Sequence, residues 1–203
     1  MLIGTIPSEI AGLPSLGYFQ GFGNQFSGSL PTEFFSNTMM SRFWLQGNSV
    51  SGSIPSEIGK WSEIVEVNVE DNLLMTGTIP TEVGLLTTLV KLLLGGNEFY
   101  GPLPSELGRL SVLALLTVDF TKVSGTIPTE IGTLVTNGSL TLLNISGSGL
   151  YGTIPDDVCG NNADPGKGYV LDFDCGRLCG CHCPCNASTS EVIVIIATNG
   201  STV

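Results

Sequence analysis

The chain has 203 residues and a formal net charge of −11 at pH 7, with only seven lysines and arginines. A protein that binds nucleic acid needs a basic face, and adhesion to anionic lipid needs basic residues, so the charge argues against both functions. The longest apolar run near the end, Val192–Ala197, is far too short to span a membrane. The length suits a single elongated domain with a terminal cap.

A tetrapeptide of the form Gly-x-Ile/Leu-Pro recurs along the chain at a nearly constant interval. Its glycines are Gly4, Gly28, Gly52, Gly77, Gly101, Gly125 and Gly152, so the successive spacings are 24, 24, 25, 24, 24 and 27 residues. Apolar residues keep the same register, and the clearest unit is LTTLVKLLLGGNEFYGPLP at 86–104. A fixed period of this size is typical of a leucine-rich-repeat solenoid.

The repeat phrase GxIPxEIGxLxxL resembles the plant-type leucine-rich repeat of polygalacturonase-inhibiting proteins and receptor-like-kinase ectodomains. The wording GTIPTEIG with a terminal CGCHCPC cluster also resembles secreted or membrane-anchored algal proteins of this class. The resemblance covers roughly residues 2–185. It implies an α/β solenoid, wound as a right-handed superhelix with a concave parallel β-sheet, short helical or 3-10 turns on the convex side and a Cys-rich C-terminal cap.

Strand alternation explains the leucine pattern of each repeat. In Leu92-Leu93-Leu94 the first and third side chains are expected to point inward and the second outward. The equivalent inward pairs are Phe19/Gly21, Phe43/Leu45, Val67/Val69, Leu116/Val118 and Leu143/Ile145. One repeat cannot bury its inner side alone, so neighbouring repeats must stack to form a common core.

A sharp turn is predicted after each strand. Asn24, Asn48, Asn72 and Asn97 occupy it in the first four repeats, where an amide can bond backbone groups that the turn leaves unpaired. Thr121 and Ser148 replace asparagine in the last two, so we expect a weaker turn there. After each repeat proline, Ser or Thr followed by an acid suits the start of a short helix.

The repeats divide the chain into three parts. Residues 1–158 contain a partial first repeat and six strand-bearing repeats, which begin near Leu13, Asn37, Trp61, Leu86, Leu110 and Leu134; residues 159–185 form the cap and 186–203 a tail. One extra residue near Met75 predicts a bulge, and three extra residues near Asn137 predict an outward loop. Because the chain opens inside a repeat without a capping segment, we expect an N-terminally truncated fragment.

The last quarter holds all six cysteines: Cys159, Cys175, Cys179, Cys181, Cys183 and Cys185. Their even number in one cluster favours up to three disulfides and an oxidising compartment, although sequence cannot choose among the 15 pairings. A metal site that uses these thiolates and His182 is the alternative, but the spacing is not that of paired CxxC motifs. We therefore expect no metal and no cofactor.

Four glycosylation sequons support the same compartment. Their asparagines are Asn137, Asn144, Asn186 and Asn199. Together with the cysteines they predict a secretory route and an extracellular or cell-surface location. Each sequon alone is weak, since the chain is rich in Ser, Thr and Asn.

The outward residues of the strands should line the concave face, and those of the first three repeats suit ligand binding. The candidate binding residues are Tyr18, Gln20, Phe22, Arg42, Trp44, Gln46, Glu66, Asn68 and Glu70. Exposed aromatics with amide and guanidinium groups between them are typical of recognition surfaces. Glu66, Glu70 and Asp71 form an acidic group that could bind a cation or a basic partner, or simply face solvent.

No catalytic constellation is visible, since the chain lacks a Ser/His/Asp set, a phosphate-binding glycine loop and an HExxH motif. We expect a non-enzymatic extracellular module that recognises a protein, peptide or glycan partner, as the plant-type resemblance implies. One alternative is a structural or adhesive protein of a wall or cell surface. Another is ice binding through a hydroxyl row that Pro102 interrupts: Thr5, Ser29, Ser53, Thr78, Thr126 and Thr153.

Overall fold

The computed structural model describes residues 1–137 and 139–153, together with the backbone of three strands at 170–174, 178–179 and 192–196. In chain order the strands are β1 (Ile3–Thr5), β2 (Tyr18–Gln20), β3 (Gln25–Ser29), β4 (Arg42–Trp44), β5 (Ser49–Gly52), β6 (Glu66–Asn68), β7 (Leu74–Gly77), β8 (Lys91–Leu93), β9 (Glu98–Gly101), β10 (Leu115–Thr117), β11 (Lys122–Gly125), β12 (Leu142–Asn144), β13 (Gly149–Leu150), β14 (Gly152–Thr153), β15 (Val170–Asp174), β16 (Leu178–Cys179) and β17 (Val192–Ile196). Almost all belong to two sheets that run the length of the molecule.

The predicted solenoid and its concave sheet are confirmed. This sheet has the order β2-β4-β6-β8-β10-β12-β15-β17, and all its pairs are parallel except the last. Leu92 and Leu94 are fully buried while Leu93 is half-buried, as strand alternation requires. The apolar run near the end of the chain supplies the antiparallel edge strand β17.

A second, seven-stranded parallel sheet was not predicted. Its order is β1-β3-β5-β7-β9-β11-β13, and it forms immediately after each asparagine turn. The strands alternate as the first sheet does, so that Val50, Phe99 and Val123 point into the core. Each repeat therefore contributes a strand to both sheets, and β1 is the second-sheet strand of the partial first repeat. β14 and β16 pair separately as a short parallel ribbon.

Short helical segments follow the repeat prolines, as expected. Five are 3-10 helices at Ser8–Gly12, Thr32–Ser36, Ser56–Lys60, Thr81–Leu85 and Ser105–Arg109, and the sixth is the α-helix α1 at Glu130–Thr136. In the five 3-10 helices the proline itself is the N-terminal cap, and no side chain caps the backbone. The hydroxyl of Thr81 instead donates to the neighbouring Glu82 carboxylate over 3.3 Å.

The two irregular repeats differ in how they absorb their extra residues. In repeat six the longer α1 stands in place of a 3-10 helix, and its Ile131, Leu134 and Val135 pack in the core. The predicted loop is centred on residue 138, which lies outside the described residues, so it stays a prediction. In repeat three the extra residue lies just before Met75, in a turn where Asp71 and Leu73 have φ of 54° and 51°. Met75 itself stays fully buried.

The core changes character along the solenoid. The first repeats are filled by aromatic rings, with Phe35 stacked on Trp61 at 4.5 Å and Phe19 edge-on to Phe34 at 5.2 Å between centroids. From repeat four onward the buried side chains are mainly leucine, isoleucine and valine. The volume of each layer must match its neighbours, since protein interiors are close-packed.

A ladder of asparagines joins consecutive repeats at the turn between the two sheets. The Asn72 Nδ2 donates to the carbonyls of Leu45 and Val69 over 3.1 and 2.9 Å, one in the preceding repeat and one in its own. Its Oδ1 accepts from the Val50 N–H over 3.1 Å, so Asn72 ties the turn of repeat two to that of repeat three. Asn48 makes the equivalent bonds to Gly21, Leu45 and Phe26.

The asparagine ladder changes after the extra residue of repeat three and again in repeat five, where Thr121 replaces the asparagine. Beside the inserted residue of repeat three, the Leu74 N–H donates to the Asn72 carbonyl. The buried Oδ1 of Asn97 has no hydrogen-bond partner within the described part of the chain. In repeat five the Thr121 hydroxyl donates to Val118 of its own repeat over 2.6 Å. A hydroxyl carries one proton whereas an amide carries two, so it cannot serve two carbonyls at once.

The backbone geometry that recurs in each repeat explains the recurring glycine. Gly77 has φ of +91°, which side-chain-bearing residues rarely adopt, and a Cβ there would lie 2.8 Å from the Ser53 Cβ of the preceding repeat. The residue after one marker glycine thus packs on the marker glycine of the next repeat. This close contact sets the spacing of the second sheet.

We expect Asn72→Ala to lower the free energy of unfolding by about 3 kcal/mol or more, because it leaves several buried backbone groups without a hydrogen-bond partner at once. Thr121→Ala is the matched control, since it removes a ladder residue that bonds fewer groups. The measurement is urea unfolding followed by circular dichroism. Equal losses in the two variants would show that the bonds between repeats add nothing to those within a repeat.

Candidate binding face

The structure brings the predicted binding residues together on the first three strands of the concave sheet and the turns that follow them. Tyr18, Arg42 and Glu66 are neighbours in register, and so are Gln20, Trp44 and Asn68. Phe22, Gln46 and Glu70 follow two residues after these strands. Tyr18 and Phe22 are 57% and 49% exposed, so aromatic surface is available at this end of the face.

Arg42 lies against two aromatic rings. Its Cζ is 5.5 Å from the centre of the Tyr18 ring and 5.6 Å from that of the Trp44 ring. A guanidinium at this distance from a ring face is attracted by the ring quadrupole. The two rings therefore hold Arg42 in a defined position on an exposed surface.

The neighbouring acid does not pair with Arg42. Glu66 lies between Arg42 and Lys91 in the sheet register, and its carboxylate is 3.5 Å from the Lys91 Nζ. Among the described residues Arg42 makes no ion pair and no side-chain hydrogen bond. Within the described residues, the face thus carries a positioned cation that has no acidic partner.

Two polar atoms in the same region are buried without a hydrogen-bond partner among the described residues. They are the indole Nε1 of Trp44 and the amide Oε1 of Gln46. Buried polar atoms are nearly always paired, so each such exception calls for an explanation. One donor and one acceptor of this kind, next to each other in successive outward positions, give the concave face unused hydrogen-bonding capacity.

The acidic group is arranged differently from the expectation. Glu66 pairs with Lys91, whereas Glu70 accepts a 2.6 Å hydrogen bond from Thr117, two repeats further on. Asp71 and Asp119 lie close to the Cα atoms of Gly96 and Gly95, where only glycine leaves room for them. Asp119 is therefore the acid that sequence reasoning missed; it follows β10 in the same column as Glu70, which was the available signal.

Burial and these neighbours shift the pKa of the Glu70 carboxyl. Burial raises the pKa of its carboxyl above the ordinary value of 4.5, and the charges of Asp119 and Asp71 raise it further. The hydrogen bond from Thr117 acts in the opposite direction because it stabilises the carboxylate. Within the described residues no group of three or more His, Cys, Asp or Glu side chains is arranged to hold a metal ion.

The structure describes only some of the remaining predicted sites. Asn137 is exposed directly after α1, and Asn144 is half-buried in β12, where its Oδ1 accepts a 2.8 Å hydrogen bond from the Ser146 hydroxyl. Asn186 and Asn199 lie outside the described residues, and so do the cysteines, apart from the backbone of Cys179 in β16. Disulfides, glycans and the division at 158/159 and 185/186 therefore stay predictions.

No protein-family model matches the chain. No curated protein matches it either. Solved structures do match. A TDR receptor superposes with a TM-score of 0.75 and 30% identity over 84% of this chain and 28% of its own. The Arabidopsis receptor kinase HAESA ectodomain, in complex with an IDA peptide hormone ligand, superposes with a TM-score of 0.68 and 26% identity over 88% of this chain and 33% of its own.

Repeat period, two-sheet geometry and these superpositions agree. The chain is a plant-type leucine-rich-repeat protein. It spans a third or less of the two receptor ectodomains. No helix among the described residues of this plant-type leucine-rich-repeat protein is both long and apolar enough to cross a membrane.

A plant ice-binding protein also has this fold. Its TM-score is 0.63 at 18% identity, over 88% of this chain and 70% of that one. An identity this low shows a common architecture and nothing about a common ligand.

We expect Glu70→Gln to raise the free energy of unfolding at pH 7. A carboxyl whose pKa is higher in the folded state binds its proton more tightly there, so its contribution to stability falls as the pH rises through that pKa. Glutamine is uncharged and keeps an acceptor for the Thr117 hydroxyl. The gain should disappear below about pH 4, where the acid is protonated in both states.

Urea unfolding of the wild type and the variant at both pH values measures this difference. Glu98→Gln is the control, since Glu98 is paired with Lys122 in the second sheet and its loss should give no gain at pH 7. Equal stability of Glu70→Gln and wild type at pH 7 would contradict the pKa argument.

Proposed function

We propose that this chain is a non-enzymatic extracellular recognition module whose concave face binds a peptide partner at repeats one to three. The observation that carries the proposal is the unused bonding capacity of this face. Trp44 Nε1 and Gln46 Oε1 are buried without partners, and they stand beside exposed aromatic rings. Their desolvation has already been incurred in the free protein, so a ligand that bonds them after a rotation of the two side chains gains without that cost.

The face suits an extended peptide for geometric reasons. Its strands present side chains in rows at regular spacing, and a peptide that crosses the strands meets one outward side chain per repeat. Tyr18, Phe22 and Trp44 supply large contact area, while the amides between them can bond a peptide backbone. The HAESA match, whose structure contains a peptide hormone, supports this choice of partner class over a glycan.

The cysteine cluster and the four sequons support secretion or display at the cell surface. A structural or adhesive role is the competing hypothesis. It assigns no role to the exposed rings of Tyr18 and Phe22 or to the polar atoms of Trp44 and Gln46 beside them.

Selection from a displayed random peptide library should yield peptides whose binding depends on the outward residues of repeats one to three. Trp44→Ala should weaken the binding of the selected peptides by about 2 kcal/mol or more, as the loss of an aromatic side chain at an interface does. Leu142→Ala, at the far end of the same face, should change affinity little. Isothermal titration calorimetry gives the affinities, and thermal melts verify that both variants are folded.

Equal losses in Trp44→Ala and Leu142→Ala would place the site elsewhere on the sheet. A library that gives no binders, followed by binding to immobilised wall polysaccharide, would favour the adhesive role instead.

Ice binding is a second candidate, favoured by one observation on the second sheet. The predicted hydroxyl row of Thr5, Ser29, Ser53, Thr78, Thr126 and Thr153 is wholly exposed, and the structure places a second row beside it at Ser27, Ser51, Thr76 and Ser124. Parallel strands pair about every 4.8 Å. The sheet register sets Thr5 opposite Ser27 and Ser29 opposite Ser51, so the two rows interleave as a repeating array of hydroxyls. Tyr100, Pro102 and the Glu98–Lys122 pair interrupt it, which is why we rank this candidate second.

If the array binds ice, the protein should show thermal hysteresis in a nanolitre osmometer. Thr78→Tyr, in the middle of the longer row, should abolish it, and Trp44→Ala on the other sheet should not. A wild-type protein without thermal hysteresis removes this candidate.

A further inference from the structure

We propose that the outward side of the second sheet binds a neutral glucan chain of the cellulose type, and that Tyr100 and Tyr151 stack on its sugar rings. The inference goes beyond the proposed function, because it concerns the other sheet and a different class of ligand. It follows from three features of this side: two exposed tyrosine rings at equivalent positions, small hydroxyl side chains between them, and charges that cancel.

The two tyrosines occupy the same position in repeats four and six. Each directly precedes a marker glycine, and each turns outward because the residue before it, Phe99 or Leu150, is buried. Tyr100 is 51% exposed and Tyr151 is 57% exposed. The other repeats carry a small hydroxyl residue at this position: Ser27, Ser51, Thr76 and Ser124. The two rings therefore project beyond the rest of their row.

The separation of the rings suits a chain and not a single sugar. Tyr100 lies in β9 and Tyr151 follows β13, with β11 between these strands, so the rings are about 10 Å apart across the sheet. They are also displaced along the strands, since Tyr100 is the register partner of Lys122 and not of Ser124. One monosaccharide cannot reach both rings on this diagonal, whereas different sugar rings of one extended chain can.

The side chains between the rings supply the polar part of such a site. The sugars of a cellulose-type chain have flat faces of C–H groups and hydroxyls around their edges. A tyrosine ring offers a flat apolar surface to such a face. Ser124 and Thr126 of the intervening repeat offer hydroxyls, which can donate to and accept from the sugar hydroxyls. Because both side chains are small, they form the floor of a shallow trough between the rings.

Charge complementarity favours a neutral ligand. In the seven strands of the second sheet the charged residues are Glu98 and Lys122, and these two side chains form an ion pair. These strands therefore carry no net charge, although the whole chain has a net charge of −11. A basic protein or an acidic polysaccharide finds no excess of opposite charge on them. A glucan has no charged group and makes no such demand.

Ice and a glucan chain make opposite demands on Tyr100, although both would use this sheet. A protruding ring breaks an even array of hydroxyls, so it opposes contact with a flat ice surface. A glucan chain gains from the same ring because the ring stacks on a sugar. Tyr100→Ser introduces the residue type that the row has in repeats one, two and five, so this variant separates the two ligands with little disturbance of the sheet.

Native electrophoresis in gels that contain hydroxyethylcellulose, a soluble neutral glucan derivative, tests the proposal. The gel should retard the wild type. Tyr100→Ser and Tyr151→Ser should each weaken the apparent affinity about three- to tenfold, the range that one aromatic contact is worth. Tyr100→Phe should bind as the wild type does, because it keeps the ring. Phe120→Ala is the control, since it removes a 70% exposed ring from the turn before β11, outside the trough.

Soluble oligosaccharides and peptides complete the test, and thermal melts verify that each variant is folded. Cellohexaose should compete with the gel at least about fivefold better than cellobiose, which reaches only one ring. Peptides selected from the library should bind both serine variants as they bind the wild type, because the concave face is unchanged.

Three results would overturn the proposal: no retardation of the wild type, equal retardation of the wild type and both serine variants, or equal competition by cellobiose and cellohexaose. A loss of peptide affinity in the serine variants would also count against a separate glucan surface. Thermal hysteresis that rises in Tyr100→Ser would assign the sheet to ice instead.

Discussion

The structure depends on satisfying the backbone at the turn between its two sheets. There the chain passes from a strand of one sheet to a strand of the other, and the carbonyls of the turn cannot all reach other backbone donors. A buried carbonyl without a hydrogen-bond donor is costly. Each turn therefore accepts a hydrogen bond from the side-chain amide of the next repeat, as the Leu45 carbonyl does from Asn72. The same amide bonds its own repeat at Val69, so satisfying one turn fixes the position of its neighbour.

This arrangement leaves the outward side chains free for other uses. Because the stack is held by buried amides, close glycine contacts and apolar layers, the outward residues of both sheets are hardly needed for folding. Arg42, Tyr18 and Trp44 can therefore differ from the residues at the same positions in later repeats. The faces diverge accordingly: one carries aromatic and charged groups, the other rows of hydroxyls.

Charge is organised along the concave face and not merely spread over it. Each strand inside the sheet lies between two others, so a charged side chain has a register neighbour on both sides. Glu66 lies between Arg42 and Lys91, and its carboxylate forms an ion pair with Lys91. The outcome is a face with a cation at one end and a group of acids, centred on Glu70, further along. A ligand that matches this order would bind in one direction only, which links the packing of the solenoid to its specificity.

Much of the fold could be predicted from the sequence. The inward positions of Leu92 and Leu94, the turn asparagines and the short helices after proline all follow from local rules that operate within one repeat, so one period is enough to find them. The fixed spacing then predicts the stack. The extra residue before Met75 was also visible as a break in that spacing.

What the sequence could not determine involves contacts between repeats. The second sheet was missed because its strands end in Gly-x-Ile/Leu-Pro, a pattern that also reads as a turn, and only stacking pairs them. The hydrogen bond between Glu70 and Thr117 joins residues 47 positions apart. Glu66 has two basic neighbours in the sheet register, and the sequence does not show which of them it pairs with. The composition of the candidate binding face was thus determined by sequence. Which of its charges are paired was decided by tertiary structure, because pairing depends on distances between side chains that no single repeat contains.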